Sequence, residues 1–362
     1  MNFVAPSLRD QAQYLHLPKV LPQQLEAVAV VPARNEAQRI IACLEALRCQ
    51  WSRSYSSMHH RLGAVLVING TTDGTAYAVM QWVGLHPSFC LLVIDVDFPA
   101  ERAHVGSARR LGLDVAAALL AQRPAARQLL FSTDADSRLA HNAVCEGLRE
   151  LKNVDAFGAH IVAGEPDTSR IGLHMQRYQE LKGQLRYQVF PSAHERHAQH
   201  GVFGGAGFGV SLTAYRAVGG LPALSFDEDQ MMRRRLLDAG YRVSYPRDIV
   251  VYTSTRLEGR TPWGMAKQLA AWEQDAAVER WPHEPDARAL AWKYTQKAKL
   301  REDWAMSNSA EAFEQVWQRY WQSDETLAFR QNQFRPRALP EAIASLTSYL
   351  KAQAPVLKIV RS

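Results

Sequence analysis

The chain has 362 residues, 47% hydrophobic and 22% charged, with a net charge of +6. This is the composition of a soluble globular protein long enough for a large core and more than one domain. The basic surplus is dispersed, with no Lys/Arg-rich block and no zinc-finger signature, which argues against nucleic acid and for small anionic partners such as nucleotides and phosphates. No run approaches the roughly 18 apolar residues that span a bilayer, so only peripheral membrane contact stays open. The opening residues MNFVAPSLRDQAQY lack the basic head and apolar core of a signal peptide. The four cysteines (Cys43, Cys49, Cys90 and Cys145) form no CxxC pair, and the expectation is a reduced, cytoplasmic chain.

Residues 1–26 hold two Pro-containing segments with little periodicity and read as a leader packed on the body. From Ala27 to Ala33 the text AVAVVPA is a strand stopped by Pro32. Ile40, Ile41, Leu44 and Leu47 then recur at helical spacing over 36–47. A strand over Ala64–Ile68 runs into the turn-rich NGTTDGT, and a helix over 75–85 follows. The strand Leu91–Val96, an Ala/Leu-rich helix over 106–121 and the strand Gln128–Ser132 continue the alternation. Such a rhythm predicts an α/β fold with a mainly parallel sheet flanked by helices, in a Rossmann-like manner, with ligands beyond the carboxyl ends of the strands. Further on, the sequence predicts a strand over 156–164, a helix over 170–189, the His- and Gly-rich loop SAHERHAQHGVFGGAGFGVS, and helices over 213–218 and 229–239. Beyond Trp263 the pattern predicts four helices, whose Trp272, Trp281, Trp292, Trp304, Trp317 and Trp321 read as packing residues.

Several strand ends carry candidate chemistry. LLFSTDADSRLA leaves an apolar run for Asp134 and Asp136, which two-residue spacing can turn toward one site. Two close carboxylates repel unless a cation lies near, and hard oxygens suit Mg²⁺ or Mn²⁺ completed by a diphosphate. The competing reading is a helix N-cap. Pro32-Ala33-Arg34-Asn35-Glu36 and Asn69-Gly70-Thr71-Thr72-Asp73-Gly74 each offer either a nucleotide edge or an ordinary turn and cap. Gly106-Ser107-Ala108-Arg109 opens a helix, where backbone N–H groups and Arg109 can meet an anion.

Together and in this order, the segments resemble family 2 of the glycosyltransferases, with its GT-A fold. VPARNE resembles the first-strand motif, INGTTDGT the second, GSARRLGLDVA the Gly-x-Ala-x-x-x-Gly segment and STDADS the DxD motif. GGAGFGVSLTAYRAVGGLP resembles the acceptor-side loop, and FDEDQMMRRRLLDAGYRV the Glu-Asp motif. The resemblance covers about residues 27–262 and implies a GT-A domain there, its nucleotide half at 27–140 and acceptor half at 141–262; the helical spacing beyond Trp263 adds a C-terminal helical region at 263–362. It implies donor contacts from Pro32, Ala33, Arg34, Glu36, Asn69, Asp73, Arg109 and Asp134, and metal ligation by Asp136 and Asp134. Arg256 and Arg260 in STRLEGR are read as closing over the diphosphate, or as a plain surface turn. Asp229 is implied as the base with Glu228 beside it, and His200, Gly204, Gly205 and Ala206 form the acceptor side. Two departures stand out: Ile68 replaces an aspartate that reads the base, and Thr253 stands where a metal-binding histidine is usual. No QxxRW motif follows Asp229, which implies transfer of a single sugar rather than polymer synthesis.

The implied activity is non-processive transfer of a sugar from a nucleoside-diphosphate donor to an acceptor hydroxyl on a small molecule, lipid or glycan, with inversion. A carboxylate at a helix N-terminus has its pKa lowered, so Asp229 is expected to be a weak base. The rivals are a degenerate GT-A module that only binds a nucleotide or a partner, and a sugar-1-phosphate nucleotidyltransferase. The latter normally carries a Gly-rich loop after the first strand, where this chain has PARNE. Gly204, Gly205, Gly207 and Gly209 do not spell GxGxxG, which disfavours a dehydrogenase.

Overall fold

The computed structural model describes residues 12–19, 21–51, 58, 61–122, 125, 127–163, 170–191, 193–198, 200–254, 274, 281–306, 315, 318–319, 322–323 and 336–360. The chain divides into two compact units: Met1–Thr168 with His194–His197 and Val202–Gln268, and Ser169–Ala193 with Ala198–Gly201 and Leu269–Ser362.

The first unit is built on a nine-stranded sheet. Its elements begin with β1 (Ala12–His16), β2 (Ala27–Ala33), α1 (Ile40–Arg48), β3 (Leu62–Asn69), α2 (Thr75–Leu85), β4 (Cys90–Val96), α3 (Val105–Ala121) and β5 (Leu129–Thr133). They continue with β6 (Ser137–Leu139), α4 (Ala143–Glu150), β7 (Ala156–Gly158) and β8 (His160–Ala163). After α5 (Arg170–Val189), which belongs to the second unit, come β9 (Glu195–Ala198), β10 (Gly207–Ser211), α6 (Leu212–Ala217), α7 (Glu228–Asp238), β11 (Val243–Tyr245) and β12 (Val250–Thr253). The strand order is β1-β4-β3-β2-β5-β10-β7-β11-β9, with β4, β3, β2 and β5 mutually parallel. Every residue of β2, β3 and β5 is buried, as expected of strands covered by helices on both faces. One face packs Ile40, Leu44 and Leu47 of α1 and Val79 and Trp82 of α2 against Ala29, Val31, Leu66 and Phe131.

The topology decides where a ligand can sit. From β2 the chain moves outward through β3 to β4, then returns through α3 to place β5 on the other side of β2. The winding therefore reverses between β2 and β5, and helix-linked loops leave a crevice at their carboxyl ends. Those ends carry Pro32–Glu36 and Thr133–Asp136.

Three expectations need correction. The leader contributes a strand: β1 pairs antiparallel to β4, Ala12 opposite Val96, and so covers that sheet edge. Its AQYLH text is short and mixed in polarity, so pairing rather than local propensity makes it a strand. The expected strand over 156–164 is two strands in different sheets: the Ala159 N–H still bonds Gly207 O, whereas the His160 N–H bonds Ile249 O. The Gly-rich loop also contains β10, whose Phe208 and Val210 alternate with glycines, and which lies antiparallel between β5 and β7. A small sheet of order β6-β12-β8 completes this unit.

In the second unit α5 packs with α8 (Ala287–Met306) and α9 (Leu339–Val360). Ile171, Met175, Tyr178, Leu181 and Leu185, at helical spacing on α5, meet Leu290, Tyr294, Leu339, Ala342 and Leu346. The Trp281 ring lies 4.8 Å from that of His174, with the Arg170 guanidinium 5.4 Å from its centroid. Two-residue strands β13 (His283–Glu284) and β14 (Arg337–Ala338) pair antiparallel. Trp272, Trp317 and Trp321 lie outside the described residues, as does the side chain of Trp304. No helix among the described residues is long and apolar enough to cross a membrane.

Candidate functional site

The ends of β2 and β3 are stitched together by the residues after them. Asn35 sits in the left-handed region (φ 55) and accepts from the Thr72 N–H at 2.8 Å, while its own N–H donates to Thr71 Oγ1 at 3.3 Å. The Glu36 N–H donates to Thr75 Oγ1 at 2.8 Å, and the Ala37 N–H to Asp73 Oδ2 at 3.1 Å. Asp73 Oδ1 also accepts the Thr75 N–H at 2.9 Å. Asp73 therefore holds two loops in place with both oxygens. Pro32 and Ala33 are buried within β2, Asn69 is buried at the end of β3, and Glu36 is buried. Arg34 is exposed, its Nη1 donating to Ala103 O at 3.4 Å. Ile68 packs in the core, and its partner across the ladder is Asp95, whose carboxyl is pushed up chiefly by burial.

The two aspartates after β5 do not cap a helix. A turn closed by the Ser137 N–H on Asp134 O leads directly into β6, and the next helix starts at Ala143. Beneath the turn lies Cys43, buried on α1, whose Sγ is 3.5 Å from Asp134 O. Its thiol is held far above the usual range by burial, then by Asp136, Asp134 and Glu36. Thr253, at the end of β12, accepts from Ser137 Oγ at 3.0 Å. Hence the place where the resemblance expects a histidine holds a hydroxyl, bonded to the residue next to Asp136.

Arg109 joins this turn to the other side of the crevice. Its side chain, 3% exposed, donates from Nη2 to Asp134 Oδ1 at 3.0 Å and from Nε to Glu228 Oε1 at 3.1 Å. Nη1 donates to Ser132 Oγ at 2.8 Å and to Gly205 O at 2.6 Å. Burial alone would lower its pKa, but Asp134 and Glu228 outweigh that and raise it. Sequence reasoning put Arg109 beside the nucleotide; the structure gives its guanidinium to four protein oxygens. Ser132 and the Gly205 carbonyl escaped the sequence, because a strand serine and a backbone oxygen carry no motif.

Glu228 and Asp229 open α7, preceded by Asp227 in the left-handed region (φ 56) with no side-chain cap. Glu228 is buried in its ion pair with Arg109, which makes it a support rather than a free carboxylate. Asp229 Oδ2 accepts the Gly205 N–H at 2.6 Å and Oδ1 the Gln230 N–H at 2.6 Å. Contrary to the expected lowering at a helix start, its carboxyl is pushed up to about 6 by burial first and Glu228 second, against Arg109 and the two amides. Gly205 thus stands between Arg109 and Asp229, and a Cβ there would lie 2.7 Å from Arg109 Nη2. Gly204 bridges to Gly207, and Ala206 is half-buried beside it.

His200 falls in the second unit, buried, with its carbonyl facing Gly183 of α5. Arg256 and Arg260 lie outside the described residues.

Gly106 fixes the approach to α7. A Cβ there would come within 1.9 Å of Leu224 O, so only glycine lets the start of α3 touch the segment leading to Asp229. Gly106→Ala is expected to lower stability by about 1–3 kcal/mol through this overlap. Urea unfolding of the variant checks it, and an unchanged midpoint would contradict the close approach.

No protein-family model and no curated protein sequence matches the chain. Among solved structures, the chain is similar to a Pyrobaculum calidifontis mannosyltransferase in complex with GDP-Man and Mn²⁺, at 17% identity and a TM-score of 0.45, over 92% of this chain and 88% of that one. It is also similar to S. aureus TarS 1-349 in complex with UDP, at 12% identity and a TM-score of 0.45, over 85% of this chain and 75% of that one. For TarS 1-349 in complex with UDP-GlcNAc the figures are 13% and 0.44, over 85% of this chain and 76% of that one.

Proposed function

We propose that the protein is a non-processive glycosyltransferase that moves a hexosyl group from a nucleoside-diphosphate sugar to an acceptor hydroxyl with inversion. The observation that carries this reading is the meeting, through Arg109, of the turn holding Asp134 and Asp136 with the helix start holding Asp229. One side has an anion-repelling carboxylate cluster that suits a cation-borne diphosphate. The other has a carboxylate whose pKa of about 6 suits proton acceptance near neutrality.

In the proposed reaction the acceptor oxygen attacks the anomeric carbon, and the bond from that carbon to the diphosphate breaks. The acceptor proton passes to Asp229, and the nucleoside diphosphate leaves with the bonding pair. Asp229 is held for this by the amides of Gly205 and Gln230, which keep both oxygens oriented. Pro32, Ala33, Glu36 and Asn69 border the donor's nucleoside end, with Asp73 holding their loops together.

The residues present fit Mg²⁺ or Mn²⁺. Among the described residues no group of three His, Cys, Asp or Glu could hold an ion alone, but Asp136 and the second oxygen of Asp134 offer hard donors to an ion that arrives with diphosphate oxygens. Such an ion would polarise the leaving group. Asp136→Ala is expected to abolish the dependence of UDP or GDP binding on Mn²⁺. Thermal shift with and without Mn²⁺ measures this, since a ligand of the native state raises its apparent stability; equal Mn²⁺ dependence in the variant would remove Asp136 from the site.

A test of the reading as a whole is turnover of UDP-, GDP- and dTDP-sugars with Mn²⁺ against sugar, lipid and glycan hydroxyls. Binding of a nucleoside diphosphate without turnover of any donor would instead make this a binding module.

A further inference from the structure

We infer that Arg109 is a positioning residue that couples the donor side of the crevice to the acceptor side, so that the carboxylates at its two ends set each other's geometry. The inference deepens the glycosyltransferase reading and rests on it for the meaning of the two sides.

Most of the guanidinium's donors are spent on the protein itself. All three of its nitrogens are engaged, to Asp134, Glu228, Ser132 and Gly205, and the side chain is 3% exposed. A planar fork with fixed donor directions holds such partners in one relative arrangement, which an ammonium would not do. Its partners come from separate elements: Asp134 and Ser132 from the end of β5, Gly205 from the segment before β10, and Glu228 from the start of α7. Gly205 is the pivot, because its carbonyl accepts from Arg109 while its N–H donates to Asp229 Oδ2. Movement of Asp134 on engaging a donor would therefore pull on the group that orients Asp229. α7 is also held by Gln230 in its first turn, bonded to Phe203 O, and further along by Arg233, bonded to Glu195 and Tyr245. Within the first turn Arg109 holds Glu228 directly and Asp229 through Gly205. His104, at the start of α3, also lies within the field of Glu228.

The test uses Glu228→Gln, which keeps the side chain's shape, with Arg109→Lys and Arg109→Gln as partners. Binding of UDP, GDP and dTDP with Mn²⁺ is followed by calorimetry. Glu228 belongs to the acceptor side, yet the variant is expected to shift the Kd of whichever diphosphate binds by about fivefold or more, the low end of site-to-site coupling. In the Arg109→Gln background the same substitution is expected to shift it less than about twofold, because the coupler is gone. Carbon-13 NMR titration of the Asp229 carboxyl supplies a readout without nucleotide: its pKa is expected to fall in Glu228→Gln and to rise in Arg109→Gln, opposite signs that general loosening would not give. Arg109→Lys is expected to behave as Arg109→Gln in the coupling, since charge without the fork does not link the sites. If Arg109→Gln does not fold, Arg109→Lys takes its place. A Kd unmoved by Glu228→Gln, or an Asp229 titration unmoved by either substitution, overturns the inference. If the wild type binds none of the three diphosphates, the glycosyltransferase reading fails instead, and the Asp229 titration alone decides whether Arg109 positions that carboxylate.

Discussion

Asp229→Asn is expected to reduce sugar transfer by about 10²–10⁴-fold while leaving nucleoside-diphosphate binding near the wild-type value. The variant keeps an oxygen for the Gly205 amide but no longer accepts a proton from the acceptor hydroxyl. The wild-type pH profile follows from the same group. With its pKa at about 6, Asp229 is protonated in acid, and kcat/KM is expected to fall about tenfold per pH unit below that value. The corresponding stability effect has the opposite sense. The folded carboxyl holds its proton more tightly than an unfolded aspartate at 3.8, so the folded state is penalised as pH rises from about 4 to about 6. The size is about 3 kcal/mol. Asp229→Asn removes that slope, so its stability relative to wild type should rise across this window and stay level above it. Urea unfolding at pH 4, 5, 6 and 8 measures it; a difference between the two proteins that does not change with pH would show that Asp229 titrates like an ordinary surface aspartate.

Arg109→Met should be among the most destabilising single changes in the first unit, by about 3–5 kcal/mol. The methionine fills most of the volume, but Glu228 stays 5% exposed with its cationic partner gone, and Ser132 and Gly205 O lose a donor. Asp134 suffers less, its side chain being 35% exposed. Removing one member of a buried ion pair costs more than the pair contributes, because the remaining charge must be buried alone. A urea midpoint within about 1 kcal/mol of wild type would mean that water enters the pocket and the site is looser than the structure shows.

Much of the parallel core was readable in the sequence. Strands buried on both faces read as continuous apolar runs, and AVAVVPA, the run through AVLVI and LLVIDV are such runs. The antiparallel half was harder. β10 has glycine at two of its five positions, whose value lies in what packs over them, and β7 and β8 read as one strand because the change of sheet at Ala159 depends on partners from distant segments. In the site, two-residue spacing exposed Asp134 and Asp136, a local pattern at a strand end, whereas Glu228 and Asp229 were picked out by the resemblance of FDEDQMMRRRLLDAGYRV to a Glu-Asp motif. What each acid does was not local. Glu228 became a partner of Arg109 and Asp73 a loop fastener only when chain segments far apart in sequence met. The pKa of Asp229 reversed its expected direction for the same reason: helix position is written in the sequence, whereas burial is not.

The central claim is tested most directly by following nucleoside-diphosphate release from UDP-, GDP- and dTDP-sugars by the wild-type protein and by Asp229→Asn, with Mn²⁺ and with EDTA. The account predicts release from donors of one nucleotide class by the wild type with Mn²⁺, loss of that release in EDTA, and a rate at least about a hundredfold lower in Asp229→Asn. Release by the variant at the wild-type rate, or release unaffected by EDTA, would contradict it.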